Sequence, residues 1–323
     1  MSRSPWQPAL ILLAALLAAF LSPSYAAASP GELLAAGRVD EAIQTLQQQI
    51  DHSSSDAESH NLLCRAYFML EEWDRGIPEC ERARSLDPQN SLYHLWLGRI
   101  YGEKADRAGF LSAAGLAKKV RTSFERAVEL DPHSWEARKD LAEFYFNAPG
   151  IVGGGKDKAH AQADAIAPLN PAAARWIFGQ LAEKNKDFVA AEREYRAAIA
   201  ASRSGLRAWV ELAIFFRHIN RLDEMEQALR QGESAPVDQA GALVDGASIL
   251  LRSERDLPLA VRFLERYLST PVEDAPAFKA HDLLGRLLEK QGDRNRASDE
   301  YRTALSLARN YNRAREDLKR IQP

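Results

Sequence analysis

Cysteine and methionine are scarce in this chain, with two and three residues among 323, and neither sign of charge dominates: 42 Lys and Arg stand against 45 Asp and Glu. Two thiols are too few for a disulfide-built domain, and neither has the histidine pairing that a structural zinc site needs. A net charge of −3 gives no overall basic field to hold nucleic acid or an anionic membrane, so neither is expected as a partner. Also missing are a G-x-S-x-G elbow, an H-E-x-x-H helix and a Cys-x-x-Cys pair, spacings that fix a nucleophile or a metal on the backbone. No enzymatic activity, cofactor or metal site is therefore expected. What is present is 46% apolar residues, 27% charged residues and only 15 prolines, the composition of a folded chain.

One apolar run stands out, Ala9 to Leu21, preceded by a single charge at Arg3. Its 13 residues are short for a spanning helix, which needs about 20, and fit the core of a secretory signal, about 7–15. Ser24-Tyr25-Ala26 and Ala26-Ala27-Ala28 both place small residues where a signal peptidase reads, so residues 1–28 are expected to be a signal peptide. No cysteine follows the run, which argues against a lipid anchor. The expectation is export, with the periplasm as destination and no membrane insertion once the leader is removed.

The rest of the chain repeats. Ala57 to Pro88 reads as an apolar-periodic helix, a polar turn, a second helix and Asp-Pro; the next segment opens SLYHLWLGRIYGEK and closes FERAVELDP. The first helices share an apolar residue, a small residue and an aromatic at fixed offsets: Leu63, Cys64 and Tyr67, then Leu97, Gly98 and Tyr101. The series continues through Leu141, Ala142 and Tyr145, Phe178 and Gly179, Leu212, Ala213 and Phe216, to Leu284, Gly285 and Leu288. A small residue at that spacing lets two helices cross closely.

These residues resemble the tetratricopeptide repeat, a helix-turn-helix unit of 34 residues. The resemblance implies an all-α, right-handed α-solenoid over residues 29–309, with about eight degenerate units starting near 23, 57, 91, 135, 172, 206, 241 and 278. Residues 310–323 are expected to form a capping helix over the last layer. The family further implies a protein or peptide partner held on the concave face, and hence a non-enzymatic interaction scaffold in the bacterial cell envelope. Groove-facing slots carried over from the family fall on Asn61, Arg65, Phe68, Leu95, Arg99, Lys139, Phe146, Trp176, Arg217, Arg252 and Arg286, with Glu143, Asp245 and Asp282 in the same set. Arg65 and Arg99 share one slot in adjacent units and are expected to form a short basic ladder for a carboxylate. Self-association through the solenoid ends is a further expectation.

Two stretches break the period, Gly102 to Gly115 and Asn147 to Asp157, and both are expected to be loops between paired helices. The second, with Gly153, Gly154, Gly155 and Lys156, superficially fits a phosphate-loop spacing, but Asp157 stands where Ser or Thr would bind magnesium and a helix precedes it. Weak anion binding by these glycine amides is the alternative function, an anion- or nucleotide-responsive protein or enzyme.

His60, His94 and His281 each precede the apolar residue of a first helix by three positions, which marks a structural slot. Cys64 lies on a first helix and Cys80 on its partner helix, facing back. A disulfide between them and a pair of buried thiols are both compatible with that placement.

Overall fold

The computed structural model describes residues 28–269, 271–273 and 275–322, so all but the last residue of the expected signal peptide lies outside the described residues. Among the described residues the chain forms α-helices and no strand. They run as hairpins: α1 (Pro30–Ala35) with α2 (Val39–His52), α3 (Ala57–Met69) with α4 (Trp73–Leu86), α5 (Ser91–Asp106) with α6 (Phe110–Leu130) and α7 (Trp135–Asn147) with α8 (Lys156–Ile166). Then come α9 (Pro171–Lys184) with α10 (Phe188–Ala201), α11 (Leu206–His218) with α12 (Leu222–Glu233), α13 (Gly241–Ser253) with α14 (Leu257–Leu268) and α15 (Ala277–Lys290) with α16 (Arg294–Leu307). A last helix, α17 (Asn312–Ile321), lies against α16. Short polar residues start many helices by accepting the orphan amides of the first turn: Asp56 from Glu58 and Ser59, Asn170 from Ala173, Asp293 from Arg296. Among the described residues no helix is long and apolar enough to cross a membrane.

The hairpins are held by the small-residue slot. A Cβ built on Gly98 would lie 2.4 Å from the Phe124 ring of α6, and one on Gly285 2.6 Å from the Tyr301 ring of α16. Gly179 meets Tyr195 in the same way. In the second hairpin Cys64 and Cys80 occupy this slot and are joined as a disulfide, with the 16-residue separation that also relates Gly179 to Tyr195 and Gly285 to Tyr301. A covalent bond there replaces the contact between a small residue and an aromatic.

The histidine slot has a bonding role. His60 Nδ1 meets Glu79 Oε2 and His281 Nδ1 meets Glu300 Oε2, each at 2.6 Å and each joining first helix to second. His60 and His94 also turn Nε2 to the backbone carbonyl six residues earlier, Ser54 and Pro88.

The first break in the period is not a loop. α5 continues to Asp106 and α6 begins at Phe110, so the surplus lengthens the hairpin, with 21 residues in α6 against 14 in α4. Ala113, Ala114, Leu116, Ala117 and Lys118 are strong helix formers, which outweigh the scattered glycines. The second break is a 3-10 turn, Gly150–Val152, followed by Gly153 at φ 103°, where the backbone reverses.

The solenoid closes on itself. Leu33, Leu34 and Val39 of the first unit, Ala66 and Met69 of the second, and Phe278, Ala304, Ala308, Tyr311 and Ala314 of the last unit and its cap form one buried cluster. Phe278 is fully buried, with its ring 5.0 Å from that of Tyr311. Gly37, at φ 73°, brings backbone onto Ala277, where a Cβ would stand 2.8 Å from the alanine's own. Polar contacts frame the seam: Arg65 Nε donates to Glu273 Oε1 at 2.6 Å, Lys279 Nζ to Glu71 Oε1 at 3.0 Å and the Arg309 amide to Asp40 Oδ2 at 2.8 Å. The end faces expected to drive self-association are thus spent on each other, because burying both in one chain costs no second molecule's freedom.

Candidate functional site

Closing the ring gathers the first helices around a central cavity of about 850 Å³. Phe68 and Met69 reach it from α3, Trp96 and Arg99 from α5, Trp135 and Lys139 from α7, Trp176 from α9, Arg207 and Glu211 from α11, Val244 and Asp245 from α13. Glu273, Pro276 and Lys279 complete the wall at the seam. The tryptophans supply apolar area with one polar edge each, the composition of a recognition surface.

Charges in this wall are paired through the aromatics. Trp176 Nε1 donates to Glu211 Oε2 at 2.8 Å, and Lys139 Nζ lies 4.9 Å from the centre of the Trp176 ring and 3.2 Å from Glu143 Oε1. Arg207 Nη1 donates to Asp245 Oδ2 at 2.7 Å and to Glu211 Oε1 at 3.3 Å. Arg99 Nε donates to Asp140 Oδ2 at 2.6 Å. Burial pushes the Glu211 carboxyl above the usual range, against the pull of Arg207, Lys139 and the Trp176 N–H. Burial likewise raises Glu143, with Lys139 opposing and Asp140 adding to the rise. Lys139 itself is held above the ordinary lysine value: burial disfavours its charge, but Glu143, Asp140 and Glu211 more than offset that.

Of the residues expected to face a groove, Phe68, Arg99, Lys139, Trp176 and Asp245 line the cavity. Arg65 and Arg99 do not form a free basic ladder. Each guanidinium has a carboxylate, Glu273 and Asp140, and the two lie 5.0 and 4.9 Å from the Trp96 ring centre. Opposite charges outcompete a missing ligand wherever the chain can supply them. Asn61 and Leu95 are buried, at 2% and 5% exposure, because the first helices of successive units touch and cover that slot. Phe146 lies under the Lys184 ammonium, 4.2 Å from its ring centre, and is not part of the lining. Arg217 and Arg252 sit near the C-terminal ends of α11 and α13, away from the cavity, and Arg286 faces a separate hollow beside Leu251, Glu289, Lys290 and Arg320.

The glycine loop is not shaped for an anion. The Gly153 amide donates to the Gly150 carbonyl, Gly154 to Pro149 and Gly155 to Tyr145. Lys156 bonds Asn185, and a Cβ on Gly154 would collide with the Ala148 carbonyl at 1.8 Å. Three glycine amides already spent on carbonyls leave no nest, and the glycines serve close backbone packing.

Sequence reasoning missed Trp96, Trp135, Arg207, Glu211 and Glu273. Trp96 lies one place past the carried-over slot at Leu95, and Trp135 four places before that at Lys139; the available signal was the run of tryptophans on consecutive first helices, Trp96, Trp135 and Trp176.

Family models described as tetratricopeptide repeat match residues 33–101, 178–239 and 278–311. No curated protein matches the chain by sequence. Among solved structures, yeast Tom70 is similar at 15% identity with a TM-score of 0.53, over 88% of this chain and 58% of that one. A thermophilic tetratricopeptide-repeat protein of Thermus thermophilus, TTC0263, is similar at 17% identity with a TM-score of 0.47, over 65% of this chain and 98% of its own. The chain therefore spans less than two thirds of Tom70, and at these identities the likeness is one of fold. With repeat matches in its first, middle and last thirds and an unbroken series of helical hairpins between them, the chain is a tetratricopeptide-repeat protein.

Proposed function

We propose that this protein is a non-enzymatic interaction scaffold of the bacterial cell envelope, exported by its first 28 residues and binding a protein or peptide in the central cavity. The observation that carries the reading is the wall itself: side chains from seven successive first helices, Trp96, Trp135 and Trp176 among them, converge on one space of about 850 Å³. A fold that only needed to be stable would fill or shrink that space, since apolar area left facing it contributes nothing to folding. The balanced charge of the chain supports a protein rather than a nucleic acid as the occupant.

Affinity capture from envelope extract tests this, with the wild type compared against a Trp96→Ala/Trp176→Ala double variant whose melting is checked separately. Proteins retained by the wild type and lost by the folded variant are expected; an unchanged set would end the reading. Cell fractionation with and without residues 1–28 tests export, and equal cytosolic retention of both forms would count against it.

A further inference from the structure

Beneath the cap helix lies a buried carboxyl with an oxygen that nothing holds. Asp282, on α15, is 2% exposed, and its Oδ1 has no hydrogen-bond partner. The same place in two other first helices, three residues before the small-residue slot, carries Leu95 and Val210, both buried. An apolar side chain therefore suits this place, and a buried carboxyl oxygen without a partner costs stability that leucine or valine does not. Arg286, Arg313 and Arg320 act on Asp282 by charge, but Arg320 is taken by Glu289 and Asp317.

The element this carboxyl can move is α17. Of its ten residues six, Asn312, Arg313, Arg315, Glu316, Lys319 and Arg320, are exposed. It is held by Tyr311 at its start, by Ala314 in the seam cluster, and by Leu318 and Ile321 against the neighbouring core. A helix this short is marginal by itself, and a terminal element with so few anchors opens before the rest of a fold. Its release brings Asp282 to water and takes Tyr311 and Ala314 out of the seam, where the Tyr311 ring lies against Phe278.

The surroundings leave Asp282 to set the response to pH. From α17 come Asp317, Arg313 and Arg320, and from α15 itself Arg286; α13 and α14 supply none of these. Tyr301 of α16 and Tyr311 are both pushed upward by burial and do not ionise in this range. Glu71, from the turn after α3, acts on Tyr311 and Arg313, and His281 turns away to Glu300 on α16. Burial, with Asp317 adding and the three arginines opposing, lifts Asp282 from 3.8 to about 7. Once α17 leaves, the carboxyl returns to its ordinary value. Docking is thus strongest below pH 3.8 and weakens as pH rises toward about 7, where the weakening is complete.

We infer that α17 is a pH-operated latch on the ring: protonated Asp282 lets it dock on α15 and α16, and ionised Asp282 favours its release, uncovering the Phe278 side of the seam. The latch acts whatever the cavity takes.

Hydrogen exchange of the full mature chain tests this, with each amide's rate corrected for its intrinsic value at that pH. The α17 amides are expected to exchange faster than those of α16 at both pH 5 and pH 8. They are expected to lose about a hundredfold in protection between the two, tenfold for each unit up to about pH 7. Asp282→Asn and Asp282→Leu are each expected to abolish that loss, and one suffices if the other does not fold. If α17 and α16 open together, there is no separate latch. Equal wild-type protection at both pH values, or the same loss in the variants, would remove Asp282 from it. Capture that depends on Trp96 and Trp176 does not enter these outcomes, so the scaffold reading and the latch fail separately.

Discussion

Arg65 and Glu273, separated by 208 positions, face each other as a two-pronged ion pair, 20% and 14% exposed, and so join the second hairpin to the segment before the last. Glu273→Ala leaves a partly buried guanidinium without its carboxylate and is expected to cost about 1–3 kcal/mol. Phe278→Ala, which empties the centre of the seam cluster, is expected to cost about 3–5 kcal/mol and to enlarge the radius of gyration as the ring opens. Urea unfolding and small-angle scattering measure the two effects. Unchanged values in both variants would mean that the ends do not meet in solution.

Reduction tests the second hairpin. The Cys64–Cys80 bridge closes a loop of 16 residues, for which chain entropy gives a stabilisation of about 3 kcal/mol. Unfolding with and without dithiothreitol, and with Cys64→Ser/Cys80→Ser, is expected to differ by that order. No difference would show that the thiols contribute as ordinary buried side chains.

Asp282 makes stability depend on pH. It is 2% exposed on α15 near the cap helix, and its Oδ1 has no hydrogen-bond partner. Burial, reinforced by Asp317 and opposed by Arg286, Arg313 and Arg320, raises its pKa from 3.8 to about 7. Below pH 3.8 the carboxyl is protonated folded and unfolded alike, and its contribution is fully present. Between 3.8 and about 7 the unfolded chain ionises first, so stability falls as pH rises, and above 7 the contribution is gone. The loss reaches on the order of 4 kcal/mol if the cap stays in place, at about 1.36 kcal/mol per pH unit. Asp282→Asn is therefore expected to gain on the wild type as pH goes from 5 to 8; parallel stability curves for the two proteins would refute this.

Two glycines of α5 should respond in opposite directions. Gly98→Ala drives a methyl into Phe124 and is expected to cost about 1–3 kcal/mol, whereas Gly102, with nothing within 4 Å, gains about 0.5–1 kcal/mol from alanine. A thermal melt of each variant decides, and equal shifts would contradict the packing described for this slot.

The hairpins were legible because their signal is local: Gly179 and Tyr195, or Gly285 and Tyr301, lie within one unit and recur with it. The Gly102–Gly115 stretch was misread because its surplus over the repeat period was assigned to a loop, whereas its helix-forming residues lengthen the hairpin instead. The partners of Arg65 and Arg99 were invisible for different reasons. Asp140 belongs to the next unit and Glu273 to a segment more than 200 residues away, and no periodicity relates either to its arginine. The cavity followed from that same hidden closure, so only those of its residues on repeated slots, such as Lys139 and Trp176, could be read in advance.

A chain whose last hairpin must land on its first cannot change its number of hairpins freely. An open stack tolerates duplication or loss of a member, since each neighbour sees the same surface as before. Here one extra hairpin would carry Phe278 and Ala277 past Leu34 and Gly37 and leave both terminal faces bare. The seam fixes the size of the assembly as firmly as it fixes its shape, and insertions are confined to places such as α6 that lengthen a hairpin without turning the circle further.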